Sequence, residues 1–194
     1  MTQVSLAQLI AGARAGSLVS FPTDTVPAIA TLPEKAALIF AAKQRSQAKP
    51  LILMAASGAD LWPYVQGSDR EYKIWQELTD KYWPGGLTLV LPASALVPKE
   101  MNPTEPTTIG IRVPASAIAQ KVLVQTGPLA TTSANLSGQP PLETMAEIEA
   151  QFPEILTLRT TESPKEVSGI GVPSTVAKWT GMNWQILRQG TIKL

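Results

Sequence analysis

The chain has 194 residues, of which 44% are hydrophobic and 16% are charged, a composition that indicates a globular fold with a core and excludes a disordered chain. Its net charge of +1 provides no overall attraction to a polyanion, so any nucleotide or RNA site must come from local clusters of cations. The absence of Cys and His excludes disulfides, thiolate nucleophiles and imidazole bases, and leaves carboxylates, Lys, Arg, hydroxyls, backbone amides or bound Mg²⁺ to perform any chemistry.

Helical and extended patterns alternate along the chain. Ser5 and Gln8 form a capping box that begins a helix, and Gly16 ends it. Further helices are predicted over residues 34–43, 69–82 and 115–125 and after the capping box of Thr144 and Glu147. Strands are predicted over residues 17–21, 50–55, 86–92, 108–113, 128–132, 175–179 and 184–187. This alternation predicts an α/β fold with a mixed twisted sheet, formed as a single domain over residues 1–194, and a long mobile loop over residues 160–173.

Neither a membrane span nor an export signal is predicted. The longest apolar stretch, residues 87–97, contains Pro92 and is too short to cross a bilayer. The N-terminus lacks a basic segment followed by an apolar one, so the expected location is the cytoplasm.

Polar clusters fall at the ends of the predicted strands, where open α/β sheets bind their ligands. In residues 20–26, Asp24 and Thr25 fit a turn that caps the next element, and they fit a ligand-binding loop equally well. The segment ATTSANLSGQPP, residues 130–141, places hydroxyls and an amide directly after a strand. A Ser/Lys hydrolase with Ser133 as nucleophile is conceivable, but no Gly-x-Ser-x-Gly elbow is present and Ser133 does not begin a Ser-x-x-Lys motif. The common nucleotide-binding motifs, Walker A and Gly-x-Gly-x-x-Gly, are absent as well.

Cations also lie near or within predicted strands. Lys43, Arg45 and Lys49 precede an apolar strand, and they fit either a helix end, whose dipole favours cations, or a phosphate clamp. Arg112 lies inside the apolar strand over residues 108–113, where a buried guanidinium needs a partner. A protein carboxylate and an anionic ligand are equally consistent with the sequence. Together, the polar clusters and the cations predict a polar, partly cationic ligand cleft.

Taken in order, these clusters resemble the YrdC/TsaC family of threonylcarbamoyl-AMP synthases over about residues 19–190. The matching pieces are Phe-Pro-Thr-Asp-Thr-Val at 21–26, Lys-Gln-Arg at 43–45 with Lys49 and Pro50, Trp-Pro-Gly at 83–85 with Thr88, Arg-Val-Pro at 112–114, Thr-Ser-Ala-Asn-Leu-Ser-Gly at 132–138, Ser-Thr-Val at 174–176 and Leu-Arg-Gln-Gly at 187–190. The ordered set is far more specific than any single piece. The first motif departs from the family pattern at Pro27 and Ala28, where the family usually has an aromatic residue and Gly.

The resemblance implies a YrdC-like open twisted sheet with flanking helices and a concave, locally basic cleft. It implies that L-threonine, bicarbonate (or CO2) and ATP are joined to give threonylcarbamoyl-AMP and pyrophosphate, with Mg²⁺ accompanying ATP. Partner proteins would then transfer the threonylcarbamoyl group to adenosine 37 of tRNAs. Because the reactive groups belong to the substrates, no catalytic side chain and no metal-ligating side chain is expected.

The resemblance also assigns binding residues. ATP would be bound by Lys43, Arg45, Lys49, Thr108, Ser133, Asn135 and Arg188. L-threonine would be bound by Thr25, Met54, Arg112, Thr131 and Ser174. The alternatives are a divergent relative that binds nucleotide or double-stranded RNA without synthase activity, and a carbamoyl-nucleotide enzyme.

Overall fold

Ten strands form a single mixed sheet in the computed structural model, which describes residues 2–159, 161 and 169–194. The strands are β1 (Gln3–Val4), β2 (Val19–Phe21), β3 (Ala28–Thr31), β4 (Ile52–Met54), β5 (Leu87–Pro92), β6 (Thr108–Arg112), β7 (Leu129–Ser133), β8 (Leu156–Leu158), β9 (Thr175–Trp179) and β10 (Trp184–Arg188). Their order across the sheet is β1-β8-β2-β3-β7-β4-β6-β5-β9-β10. The pairs β1–β8, β8–β2, β4–β6 and β5–β9 are parallel and the other five are antiparallel.

The α-helices of the described residues are α1 (Leu6–Arg14), α2 (Ala37–Ala42), α3 (Gly58–Leu61), α4 (Asp69–Tyr82), α5 (Ala117–Thr126) and α6 (Met145–Gln151), with short 3-10 helices at Pro33–Lys35, Trp62–Tyr64 and Lys99–Met101. Five of these six α-helices begin at a residue whose side chain caps them, and α2 has no such cap. Ser5 and Gln8 cap α1 reciprocally, and Thr144 and Glu147 do the same for α6, so both predicted helix starts are confirmed. No helix of the described residues has the length and apolar character that a membrane span requires.

The two faces of the sheet differ in polarity because side chains alternate along each strand and paired residues share a face. Ile29, Leu53, Ala130, Ile111 and Leu89 lie on one face, where they are fully or almost fully buried in the hydrophobic core. We call the opposite face the cleft face. It is formed by the residues that alternate with the core-facing ones along each strand: Ala28, Ser133, Thr131, Ile52, Met54, Gly110, Arg112 and Thr88. The alternation therefore collects hydroxyls and an arginine from separate motifs on one surface.

The α/β fold with a mixed sheet is confirmed, and most predicted elements are present within a few residues of their expected ends. Strands β1, β3 and β8 were not predicted, and the helix expected over residues 34–43 is divided into the 3-10 helix Pro33–Lys35 and α2. Of the loop predicted over residues 160–173, residues 160 and 162–168 lie outside the described residues. The single-domain assignment and the locally basic cleft stay predictions.

Candidate functional site

The cleft face contains a small cavity of about 110 Å³ beside a larger one of about 310 Å³. Eight of the residues predicted to bind substrate line the small cavity: Thr25, Arg45, Met54, Arg112, Thr131, Ser133, Ser174 and Arg188. Thr108 lines the large cavity, and the two cavities share Arg45, Pro50, Ile52 and Arg188. Lys43, Lys49 and Asn135 line neither of the two cavities. The structure therefore brings most of the predicted residues together around two connected spaces.

Arg112, at the end of β6, is fixed by three hydrogen bonds. Its Nε donates to the carbonyl oxygen of Gly85 (3.0 Å), Nη1 to Thr25 Oγ1 (2.8 Å) and Nη2 to Asp24 Oδ1 (2.7 Å). Burial lowers the pKa of Arg112, and the nearby Asp24 carboxylate opposes that shift. The sequence did not determine whether a protein carboxylate or a ligand pairs with this guanidinium. In the structure, the partner is the carboxylate of Asp24. Two of the five guanidinium N–H groups have no acceptor among the described residues and are available to an anion in the small cavity.

The Thr25 hydroxyl has a defined polarity. Thr23 Oγ1 donates its only hydrogen to the carbonyl oxygen of Val26 (2.7 Å), so at the 3.1 Å contact between Thr23 Oγ1 and Thr25 Oγ1 the hydrogen belongs to Thr25. Thr25 Oγ1 also accepts from Arg112. One lone pair of the Thr25 hydroxyl therefore remains, and it presents an acceptor to a ligand's amine or hydroxyl.

Three guanidinium groups line the small cavity, and they repel one another. Burial and then the charge of Arg112 lower the pKa of Arg188, and burial and then the charge of Arg188 lower the pKa of Arg45. Asp24 is the one carboxylate that forms an ion pair with any of them within the described ranges. The excess of positive charge favours an anionic ligand.

Backbone contacts hold two of these arginines at the cleft. Arg188 Nε donates to the carbonyl oxygen of Ser174 (2.9 Å), and Arg188 Nη2 donates to Ser174 Oγ (3.1 Å). Arg45 Nε and Nη2 donate to the carbonyl oxygens of Lys49 (3.0 Å) and Pro50 (3.1 Å). Each arginine is therefore oriented before any ligand arrives.

Lys43 follows α2 and lies behind the wall of the cleft. It is fully buried, and its Nζ donates to Thr132 Oγ1 (3.2 Å), to Asn135 Oδ1 (3.4 Å) and, through a short hydrogen bond, to the carbonyl oxygen of Ser133. No carboxylate of the described part of the chain forms an ion pair with it. Lys43 thus fixes the turn after β7 from the core side.

The turn after β7 has further internal contacts. Ser133 Oγ donates to Asn135 Oδ1 (2.6 Å), and Asn135 Nδ2 donates to the carbonyl oxygens of Leu136 (2.8 Å) and Gln139 (2.7 Å). Lys49 reaches the same turn through Ser137 Oγ (3.3 Å). Because Lys43 contacts the carbonyl oxygen of Ser133 and the Ser133 hydroxyl donates to an amide, the geometry does not support a lysine base that activates Ser133 as a nucleophile.

The buried ammonium of Lys43 gives the stability of the fold a pH dependence. Burial and then the charges of Arg45 and Lys49 lower the pKa of Lys43 from 10.5 to about 7. Between these two values the unfolded chain binds a proton that the folded chain does not, so the free energy of unfolding rises as pH increases from about 7 toward 10.5.

Substitution of Lys43 by Met removes this dependence. We expect the unfolding free energy of the wild-type chain, relative to that of Lys43→Met, to increase by about 1–3 kcal/mol from pH 6.5 to pH 9. Urea denaturation at both pH values measures it, with the exposed Lys121→Met on α5, whose charge does not act on Lys43, as a control. A difference that does not change with pH would contradict the assignment.

The acidic residues of the structure do not form a metal site. In residues 2–159, 161 and 169–194, no three acidic side chains gather in a way that could hold an ion. The Asp24 carboxylate, which contacts Arg112 of the small cavity, is also bound to the amide of Ala115. The described residues therefore provide no set of side-chain ligands that fits Mg²⁺.

Pro27 and Ala28, where the first motif is atypical, have ordinary roles in this fold. Ala28 is the first residue of β3 and pairs with Phe21 and Ser133 in an extended conformation without a positive φ. Pro27 lines the small cavity, and its carbonyl oxygen accepts from the amide of Ala134 (2.9 Å). The atypical pair therefore lies on the wall of the site and leaves the strand intact.

Sequence reasoning missed Asp24 as the partner of Arg112, and it missed the contact of Thr88 with Ser174. Two features of the sequence could have indicated the pair of Asp24 and Arg112. Asp24 lies inside a recognisable motif, and Arg112 lies in an apolar strand where its charge needs a partner. The close backbone approaches of two glycines were also missed: a Cβ at Gly169 would lie 2.3 Å from the carbonyl oxygen of Thr25, and one at Gly190 would lie 2.4 Å from that of Pro173. Nothing in a single sequence signals these two close approaches.

Known proteins resemble this chain over nearly its whole length. Residues 12–190 match the Sua5/YciO/YrdC family model, which is described as "Telomere recombination". A threonylcarbamoyl-AMP synthase of Vibrio campbellii is 35% identical over 192 residues, which cover 94% of this chain and 97% of that protein.

Solved structures share the fold. P. abyssi Sua5 in complex with L-threonine matches with a TM-score of 0.82 and 31% identity over 95% of this chain and 54% of that one, so this chain spans about half of that protein's length. E. coli YciO matches with a TM-score of 0.77 over 96% of this chain and 89% of that one. Its 23% identity supports a common fold and nothing further.

Proposed function

This chain belongs to the Sua5/YciO/YrdC family, and we propose that it is a threonylcarbamoyl-AMP synthase. One observation carries the proposal: a small cavity lined by three arginines and several hydroxyls opens beside a larger cavity that shares Arg45 and Arg188 with it. In the proposal the small cavity holds L-threonine and the large one holds the nucleoside of ATP, so that the α-phosphate lies at their junction. The Vibrio relative's name and the bound L-threonine of P. abyssi Sua5 support this choice of substrates.

The reaction needs two bond-forming steps. The threonine amine loses a proton and attacks CO2, which derives from bicarbonate, and the new C–N bond gives a carbamate anion. A carbamate oxygen then attacks the α-phosphorus of ATP, and the bond from that phosphorus to the oxygen bridging to the β-phosphate breaks. The products are threonylcarbamoyl-AMP and pyrophosphate. Because both nucleophiles belong to substrates, the protein contributes positioning and charge stabilisation.

The contacts of the site suggest how these contributions are divided. The two unpaired N–H groups of Arg112 are suited to the threonine carboxylate, and the free lone pair of Thr25 is suited to the threonine amine or hydroxyl. Arg45 and Arg188 lie between the cavities, where they would stabilise the charge that develops on the phosphates. Thr108, in the large cavity, would contact the nucleoside.

Other participants are part of the same proposal. Mg²⁺ would enter with ATP and be bound by phosphate oxygens, since the described residues offer no carboxylate cluster. Partner proteins would receive threonylcarbamoyl-AMP and modify adenosine 37 of tRNA. A relative that only binds nucleotide or double-stranded RNA is not favoured, because the curated relatives are named as synthases and the net charge is +1.

The activity is tested by measuring pyrophosphate released from ATP by the purified chain with Mg²⁺ and bicarbonate. We expect release only when L-threonine is present, together with a product of the mass of threonylcarbamoyl-AMP. Release without threonine, or no release under conditions in which the Vibrio campbellii relative is active, would refute the proposal. Carbamoyl phosphate in place of threonine and bicarbonate tests the carbamoyl-nucleotide alternative, and duplex RNA affinity across a salt series tests RNA binding.

A further inference from the structure

The hydroxyl of Ser174 is contacted by two side chains from different strands. Thr88 Oγ1 on β5 lies 2.8 Å from Ser174 Oγ, and Arg188 Nη2 on β10 lies 3.1 Å from it. Because β5 pairs in parallel with β9, with Thr88 opposite Val176, Thr88 lies on the same face of the sheet as Ser174, which is two residues before Val176. Ser174 is 3% exposed and lines the small cavity, whereas Thr88 is 0% exposed and lies on the cleft face beneath it.

The direction of these hydrogen bonds follows from the donors available. Arg188 can only donate, so Ser174 Oγ accepts from it. Thr88 Oγ1 has no other hydrogen-bond partner in the described part of the chain, and Thr88 is fully buried where it borders the large cavity. If Ser174 donated to Thr88, the Thr88 hydrogen would be buried without an acceptor, which is unfavourable. The favoured arrangement has Thr88 donating to Ser174.

In that arrangement Ser174 Oγ accepts two hydrogen bonds and keeps its own hydrogen. No described residue accepts this hydrogen, and Ser174 borders the small cavity beside Arg112. The Ser174 hydroxyl is therefore a donor to the ligand, in contrast to the Thr25 hydroxyl, whose remaining capacity is that of an acceptor.

We propose that Thr88 is a positioning residue that keeps the Ser174 hydroxyl as a donor to a carboxylate oxygen of the bound amino acid. This inference rests on the proposed function for the identity of the amino acid. The small cavity then has a donor end, formed by Ser174 and Arg112, and an acceptor at Thr25. That polarity matches the carboxylate and the amine of one amino acid and fixes the direction in which it binds.

The test compares Thr88→Val, which keeps shape and loses the hydroxyl, with Thr88→Ser, which keeps the hydroxyl. We expect Thr88→Val to weaken L-threonine binding about tenfold and to raise the KM for threonine, while kcat and the KM for ATP change little. Thr88→Ser should bind threonine within about threefold of the wild-type chain. Calorimetric titration with L-threonine measures affinity, and thermal unfolding shows that both variants are folded.

A double-mutant cycle with Ser174→Ala separates positioning from a general packing effect. If Thr88 acts through Ser174, Thr88→Val should weaken threonine binding by less than about a further twofold in the Ser174→Ala background. An unchanged threonine affinity of Thr88→Val, or a full tenfold loss in the Ser174→Ala background, overturns the inference alone. No threonine binding by the wild-type chain overturns the proposed function as well. If Thr88→Val does not fold, Thr88→Cys replaces it in the same binding experiments, because a thiol is a much weaker donor than a hydroxyl. The same outcomes then support or overturn the inference.

Discussion

Arg112→Gln is expected to lower the affinity for L-threonine by at least about a hundredfold, because removing one partner of a buried, hydrogen-bonded charge pair typically costs about 2–5 kcal/mol. The substitution removes the two N–H groups that we assign to the threonine carboxylate and releases the Thr25 hydroxyl from its 2.8 Å contact with Nη1. ATP binding should stay within about threefold of the wild-type value, because Arg45 and Arg188 are unchanged. Separate calorimetric titrations with threonine and with ATP measure the two affinities.

The same substitution leaves Asp24 without its cation, so folding and binding have to be separated. The Asp24 side chain is 20% exposed and would keep only the amide of Ala115 as a hydrogen-bond donor. We expect Arg112→Gln alone to lower the unfolding free energy by about 2–4 kcal/mol and the Asp24→Asn/Arg112→Gln pair to recover part of that loss. Threonine affinity should stay low in both.

A matched control is Arg14→Gln at the exposed end of α1, which removes one guanidinium far from the cleft. It should change neither affinity by more than about twofold. Threonine binding by Arg112→Gln within threefold of the wild type, with the variant folded, would contradict the assignment of Arg112 to the carboxylate.

The sequence predicted most of the cleft because its residues belong to short motifs at strand ends. Thr131 and Ser133 lie two residues apart on β7 and therefore share a face, as do Thr108, Gly110 and Arg112, which follow one another at two-residue steps on β6. The family resemblance named these residues, and alternation along each strand explains why they share a face. Local pattern could not determine which strands would be neighbours, and β3, a four-residue strand directly after Pro27, was missed for lack of a recognisable boundary.

Contacts between residues far apart in the chain could not be predicted from the sequence. Asp24 and Arg112 are 88 residues apart, and only the packing of the first motif against the end of β6 identifies the carboxylate as the arginine's partner. The sequence grouped Lys43 with Arg45 and Lys49 as cations near phosphate. In the structure, Lys43 lies on the core side of β7. It contacts Thr132, which faces away from the cleft because its neighbours on the strand, Thr131 and Ser133, face the cleft.

The polarity of the hydroxyls is a further property that sequence cannot give. Thr25 and Ser174 are both small hydroxylated residues, and their types alone do not tell a donor from an acceptor. Their neighbours decide: Thr23 receives the hydrogen of Thr25, while in the favoured arrangement Thr88 and Arg188 both donate to Ser174. The donor or acceptor character of each hydroxyl in this cleft thus depends on neighbouring residues as well as on its own type.

Gly169→Ala is the second substitution with a large expected effect. A Cβ at this position would lie 2.3 Å from the carbonyl oxygen of Thr25 and 2.6 Å from that of Thr23, distances at which backbone atoms must move. Residues 169–171 would separate from the first motif and lose the hydrogen bonds from the amides of Ile170 to Asp24 O (3.4 Å) and Gly171 to Thr25 O (3.0 Å). Because Asp24 and Thr25 both hold Arg112, the displacement reaches the carboxylate end of the small cavity.

We expect Gly169→Ala to weaken threonine binding by about tenfold to a hundredfold and to lower the unfolding free energy by about 1–2 kcal/mol, since the strained contact lies outside the core. The matched control is Gly86→Ala on the other side of Thr25, where a Cβ would have its nearest contact at 3.5 Å, an ordinary van der Waals distance. That variant should bind threonine within about threefold of the wild type. If titration gives Gly169→Ala the same affinity for threonine as Gly86→Ala, the 169–171 segment does not shape the cavity.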